Sequence, residues 1–214
     1  GEAKHEGIFD VEERILHSIT LLESFGNAMT VHNNNSSRFG KWQEMTMGPM
    51  AHITRAHIKD YLLEKSRVAR QNAGERNYHI FFQLAAARGK DFELEVDQCH
   101  YMNQGVKQIP GVNDTTGYKD LMRSLNGMGI SVDSQNAIFE VTAAIVHLGN
   151  ITFTQTAQDG SEVEDAHALK NAAKFFGNID AKQLSKCLTT KQLKIGPEIT
   201  TKLLTTRAAE GTKS

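Results

Sequence analysis

Asn33-Asn34-Asn35-Ser36-Ser37-Arg38-Phe39-Gly40-Lys41 is the stretch on which the reading of this chain turns. It follows Phe25-Gly26-Asn27-Ala28 closely. Asn and Ser are common in loops because their side chains bond nearby backbone and so form turns. A guanidinium directly behind them adds a planar fork suited to a carboxylate or a phosphate. Three amides, two hydroxyls and one guanidinium make chemical sense if the loop must wrap an anion, such as a nucleotide phosphate with its metal ion. A magnesium ion beside a triphosphate takes hard oxygen ligands. Ser37 is the candidate for that ligand, and Ser36 is placed to bond the terminal phosphate or to position an attacking water. Phosphoryl transfer rests mainly on positioning and electrostatics, so modest groups of this kind suffice. The alternative is a polar turn whose Asn and Ser side chains bond only their own backbone.

Around this stretch the chain has the composition of a soluble globular protein: 214 residues, 39% hydrophobic and 23% charged, with a formal charge of −1. That charge argues against nucleic acid as a partner, which would call for a clearly basic surface. No apolar run approaches the length of a membrane span, so direct membrane insertion is not expected. Cys99 and Cys187 are far apart and form neither a disulfide framework nor a zinc-binding pattern, which fits a reducing, cytoplasmic compartment. There is no internal repeat, low-complexity tract or proline-rich linker.

Periodicity gives a helix-rich α+β reading. Asp10 is a candidate cap, with Glu13 as its capping-box partner, for a helix carrying Val11, Ile15, Ile19 and Leu22 and stopping near Ser24. Phe39 to Met47 and Ile53 to Ile58 read as two strands about a turn at Gly48-Pro49. A helix is expected over Arg76 to Ala87, irregular chain from Asp91 to Val112, and a short helix with Tyr118, Leu121 and Leu125. Ser131 or Asp133 caps a stronger helix that stops at Gly149. Ile151 to Phe153 reads as a short extended piece. Asp165 and Asp180 cap two more helices, and residues 190 to 206 suit a strand-turn-strand unit around Gly196-Pro197. The first nine residues read as loop, and Arg207 to Ser214 as frayed.

Several ordered segments carry a family resemblance. Leu22-Glu23-Ser24-Phe25-Gly26-Asn27-Ala28, Thr30-Val31 and residues 33 to 41 resemble the myosin motor head almost position by position. Asn…Ser-Ser-Arg occurs in kinesins too, but Phe39-Gly40-Lys41 is myosin-like. So are Tyr61-Leu62-Leu63-Glu64-Lys65-Ser66-Arg67-Val68, Gly74-Glu75-Arg76-Asn77-Tyr78-His79-Ile80-Phe81, Tyr101-Met102-Asn103-Gln104 and His147-Leu148-Gly149-Asn150-Ile151. The resemblance runs from about residue 10 to about residue 209. It departs at Met29 and His32, where the family usually has Lys and Arg, at Thr20 for a common proline and at Trp42 for a common Phe.

The resemblance implies a P-loop NTPase motor head whose intact form is an actin-activated ATPase, with ATP or ADP and Mg2+ as ligands. It assigns residues 33 to 41 to switch I. Asn33, Ser36 and Ser37 then go to the phosphates, with Ser37 on the metal and Asn27 on the base-and-phosphate side. Arg38 is to pair with a switch II glutamate. Residues 1–9 become the end of loop 1, 10–41 the helix and switch I, 42–60 transducer strands, 61–189 upper 50-kDa helices, and 190–214 a cardiomyopathy-loop-like region. Lys191, Lys194 and Lys202 are the candidate actin contacts, with a solvated loop as the plain alternative. Further partners are the rest of the myosin head and its light chains, and the location implied is cytoskeletal.

No Gly-x-x-x-x-Gly-Lys-Ser/Thr segment occurs in the 214 residues, so the amide and lysine cradle for the phosphates is missing from them. The reading is therefore of an internal piece of a motor head, inactive by itself, with a non-enzymatic, truncated myosin-like binding module as the alternative. His52 and His57, His147, and Gly127-Met128-Gly129 carry no metal, base or dinucleotide reading of weight. Phe81, Phe82, Phe139, Phe175 and Phe176 read as core.

Overall fold

Apolar residues at helical spacing recur along most of the chain, and the computed structural model, which describes residues 9–195 and 198–213, is correspondingly built on helices. Helix α1 (Phe9–Gly26) leads into the two-residue strands β1 (Asn27–Ala28) and β2 (Ser36–Ser37). A ribbon of β3 (Gly40–Met47) and β4 (Ile53–Tyr61) follows, then a single-turn helix α2 (Ser66–Ala69). The helical body comprises α3 (His79–Phe92), α4 (His100–Asn103), α5 (Asp114–Gly127) and α6 (Val132–Gly149). A small outer layer closes the chain: β5 (Phe153–Gln155), β6 (Ser161–Val163), α7 (Ala166–Phe175), α8 (Ala181–Thr189), β7 (Thr190–Ile195), β8 (Glu198–Leu203) and α9 (Thr206–Gly211). Among the described residues the strands form four antiparallel pairs, each of two strands and each between sequence neighbours.

Helices α3, α5 and α6 enclose the main core. Leu84, Leu121, Leu125, Phe139, Ala143 and Val146 are sealed from solvent there, with Phe81, Phe82 and Phe175 around them. Phe176 packs on its margin. A second cluster of Ile151, Ala168, Ala172 and Leu188 supports the outer layer. His147 is part of the packing: its Nε2 lies 2.8 Å from the Phe92 carbonyl and its ring stacks on Phe175. Burial pushes its imidazole below its ordinary value.

Side chains set the ends of several helices. Ser131 caps α6, Asp165 caps α7 and Asp180 caps α8, each accepting from backbone N–H groups in the first turn. Asn113 does the same for α5.

Some boundaries differ from the periodicity. Asp10 stands inside α1 rather than ahead of it, and α1 continues through Phe25 to Gly26, because Leu21 and Phe25 extend the apolar stripe onto the core. Phe9 lies in that helix, and the rest of the expected opening loop is outside the described residues. The helix expected from Arg76 starts at His79. Arg76 and Asn77 are both buried and serve as connectors, Asn77 donating to the carbonyls of Val68 and Tyr101 at 3.0 and 2.7 Å. The irregular stretch after Asp91 holds the short α4. The extended piece after Ile151 begins at Phe153 and pairs with β6, which the periodicity does not mark.

Residues 207–213 are ordered where fraying is expected. Ala209 of α9 is fully buried, and the Tyr101 hydroxyl donates to the Lys213 carbonyl at 3.1 Å. Lys213 bonds the Ile151 carbonyl and pairs with Glu210. Docking, rather than propensity, makes this short polar segment helical.

Candidate functional site

Residues 26 to 39 fold back on themselves. Asn27 pairs with Ser37 and Ala28 with Ser36, and the Gly26 carbonyl accepts from the Arg38 N–H at 2.8 Å. At the far end, Thr30 and Asn33 exchange backbone bonds, and Asn33 Oδ1 accepts from the Asn35 N–H at 2.8 Å. The base is closed by close approach: a Cβ on Gly26 would lie 2.4 Å from the Phe39 ring. The loop is also tied to the segment ahead of α3. Ala28 bridges Tyr78, and the Arg76 N–H donates to the Met29 carbonyl at 3.0 Å.

All the loop residues expected at a phosphate site share this hairpin. Ser37 is exposed, and its hydroxyl donates to the Phe39 carbonyl at 2.8 Å. With its proton committed there, the lone pairs of the oxygen remain to be offered. Asn33 is exposed and spends its Oδ1 on the turn, as a polar turn would. Asn27 is buried and its amide donates to Asn35 Oδ1 at 3.1 Å, so its described contact is internal to the loop.

Asn35 was not marked out by its sequence, yet three elements converge on it. Its amide donates to Glu23 on α1 at 3.2 Å. Its oxygen receives Asn27 and lies 3.0 Å from His79 Nε2 on α3. Burial, reinforced by the Arg76 charge and opposed by Asp114, pushes the His79 imidazole down to about 4. The ring is therefore neutral near pH 7, and the geometry requires its proton on Nε2.

Arg38 is half-buried. Its Nε donates to Glu64 Oε2 at 2.6 Å and one terminal nitrogen to Ser36 Oγ at 3.2 Å. A carboxylate for Arg38 thus lies on this chain, 26 residues away. The same Glu64 oxygen accepts Arg67 Nε at 2.9 Å. Arg67 is buried and also pairs with Glu75 at 3.0 Å and donates to the Arg76 carbonyl. Arg76, fully buried, forks onto Asp114 with bonds of 3.1 and 2.5 Å and lies 3.6 Å above the Phe82 ring. Partial burial works to raise the Glu64 carboxyl, but the Arg67 and Arg38 guanidiniums outweigh it and hold it below its usual value. The Tyr78 hydroxyl, which donates to the Glu64 carbonyl at 2.8 Å, is pushed up to about 12 by burial and then by the Glu64 charge. An exposed loop is thereby joined through one carboxylate to a buried ionic network. The adjacent Glu64 and Arg67 are visible in sequence, but their link to Arg38 has no local signature.

Lys191, Lys194 and Lys202 belong to the separate β7–β8 hairpin and are exposed. Lys191 stands directly across from Lys202, while Lys194 is opposite Ile199. By strand alternation the first two share one face and Lys194 takes the other.

The whole chain, residues 1–214, matches the model for the myosin head (motor domain). The chain belongs to the myosin head family. It is 42% identical over 208 residues to Myosin-15 of Arabidopsis thaliana, covering 93% of this chain and 14% of that protein. It is 40% identical to Myosin-2 of Lachancea kluyveri, covering 86% of this chain and 12% of that protein. With the Myosin-I heavy chain of Dictyostelium discoideum the identity is 37%, over 86% of this chain and 8% of that protein. This myosin segment therefore spans a small part of the length of its relatives. Among its described residues no helix is long and apolar enough to cross a membrane.

Proposed function

We propose that this chain is the switch I and upper 50-kDa part of an actin-based motor that couples MgATP binding and hydrolysis to movement, its location being the cytoplasmic cytoskeleton. The observation that carries the reading is the arrangement of Asn33, Ser36, Ser37 and Arg38 on one anchored hairpin, in a chain of the myosin head family.

In this reading Ser37 offers its hydroxyl oxygen to the magnesium of the nucleotide, a hard cation suited to such a neutral ligand. Ser36 bonds the terminal phosphate or orients the attacking water. The Arg38 guanidinium, fixed at its Nε, stabilises negative charge on the transferring group and pairs with a switch II glutamate. Asn33 contributes amide donors, while Asn27 acts through Asn35 to hold the loop in shape. The ribbon β3–β4, including residues 42–60, is part of the transducer sheet, residues 61–189 form the upper 50-kDa helices, and residues 190–214 the cardiomyopathy-loop-like region. Lys191 and Lys202 across one rung favour an acidic partner, because opposed like charges weaken a free hairpin and are relieved by a counter-surface. Actin is that partner. Light chains and the remaining head complete the assembly.

The test is MgATP turnover by the complete motor and its Arg38→Ala variant. The expected loss is about a hundredfold or more. The 214-residue chain alone is expected to show no turnover. Unchanged turnover in Arg38→Ala, or turnover by the isolated chain that Arg38→Ala abolishes, contradicts the reading.

A further inference from the structure

The Arg38 contacts with the described residues use Nε and one terminal N–H, on Glu64 and Ser36 respectively. The outer end of the guanidinium fork is thus left for a second acceptor. A phosphate or carboxylate can be engaged without releasing Glu64. Glu64 is itself doubly held. Arg67 grips its carboxylate, and its backbone N–H donates to the Arg38 carbonyl at 2.9 Å. Its own carbonyl accepts from Tyr78. Arg67 is 3% exposed and fixed by Glu75 and the Arg76 carbonyl, so the direction of the Glu64 side chain is set from the core. Arg38, by contrast, sits on a loop whose side chains are largely exposed. A long flexible arginine there would otherwise lose aim among many rotamers.

We propose that Glu64 is a positioning residue for the phosphoryl-transfer site: backed by buried Arg67, it holds Arg38 by its Nε and so directs the free end of the fork toward the switch II carboxylate and the transferring anion that Arg38 serves in that reading. The proposal rests on the motor reading given above. Glu64 touches neither the nucleotide nor the attacking water. It acts only through Arg38, by limiting the orientations that guanidinium samples before the anion arrives. Binding depends on many contacts that Glu64 does not make, whereas charge stabilisation in the transition state depends on where Arg38 points.

The experiment measures kcat and KM for MgATP in the complete motor carrying Glu64→Gln, Glu64→Ala or Arg38→Ala, together with each thermal midpoint. Gln keeps an oxygen to accept Arg38 Nε and loses the charge, while Ala loses both. The expected order of kcat is wild type, then Gln, then Ala, with Ala down about tenfold or more. KM is expected to stay within about twofold in both, since uniform binding is not touched. Glu64→Gln retains the hydrogen-bonding shape and carries the test should Glu64→Ala fail to fold. A Glu64→Gln enzyme with wild-type kcat beside a crippled Arg38→Ala enzyme overturns this inference and leaves the motor reading standing. A kcat loss that only follows a raised KM and a lowered thermal midpoint also overturns it, by making Glu64 structural. Wild-type turnover in Arg38→Ala removes the motor reading first.

Discussion

The loop over residues 33 to 41 and the hairpin β7–β8 are both exposed and polar, yet they are held in opposite ways. As far as Phe39 the loop has only a two-residue ladder, with β1, before Gly40 and Lys41 enter the β3–β4 ribbon, and it is fixed by side chains reaching it from α1, α3 and Glu64. The hairpin has six rungs of backbone pairing, while its lysines take part in none of the described ion pairs. The first arrangement fixes individual atoms, which would suit the small anion proposed for it. The second fixes a backbone and leaves charges free to adapt, which would suit the broad partner surface proposed for it.

The largest test of this contrast lies in the network beneath the loop. Asp114→Ala leaves the fully buried Arg76 without its carboxylate, at an expected cost of about 3–5 kcal/mol. That corresponds to a fall of roughly 10 °C in thermal midpoint for a chain of this size. Arg76 also holds the Met29 carbonyl, so hydrogen exchange at residues 29 to 38 should rise in the same variant. A loss below about 1 kcal/mol would detach the loop from the network and end the contrast.

A second test uses pH. His79 is neutral in the folded chain with its value lowered to about 4 from 6.5, so between those limits the unfolded chain takes up a proton that the folded chain refuses. Stability is therefore expected to fall as pH drops through that window, by about 2–3 kcal/mol from this residue. The depressed Glu64 and His147 add loss in the same direction. His79→Gln, which can still donate an amide to Asn35, should flatten the slope between pH 6.5 and 4 in urea denaturation. An unchanged slope would mean that His79 does not anchor the loop as a neutral group.

The smallest effect belongs to the hairpin. Lys191→Glu places opposite charges across the Lys202 rung and should stabilise by only a few tenths of a kcal/mol. In the complete motor it should nevertheless weaken co-sedimentation with actin. Equal actin affinity would return the lysines to an ordinary solvated loop.

Elements fixed by local chemistry were readable from the chain alone. The caps Ser131, Asp165 and Asp180 and the apolar stripe of α6 follow short-range rules, and the ribbon is marked by the turn at Gly48-Pro49. The helix α9 was not readable, because its polar residues become helical only by docking Ala209 and Lys213. The site divides in the same manner. Asn33, Ser36, Ser37 and Arg38 stand out as a run of donors and lone pairs. Glu64, His79 and Asp114 lie 26, 44 and 38 residues from their partners Arg38, Asn35 and Arg76, and only packing decides which charges meet.

The close approach of Gly26 to Phe39 has a mechanical consequence. It makes the last turn of α1 and the end of the loop a single hinge pin, with no room for even a methyl group between them. A bulkier residue at position 26 is therefore expected to push Phe39 aside and shift the end of the loop while leaving every one of its polar side chains intact.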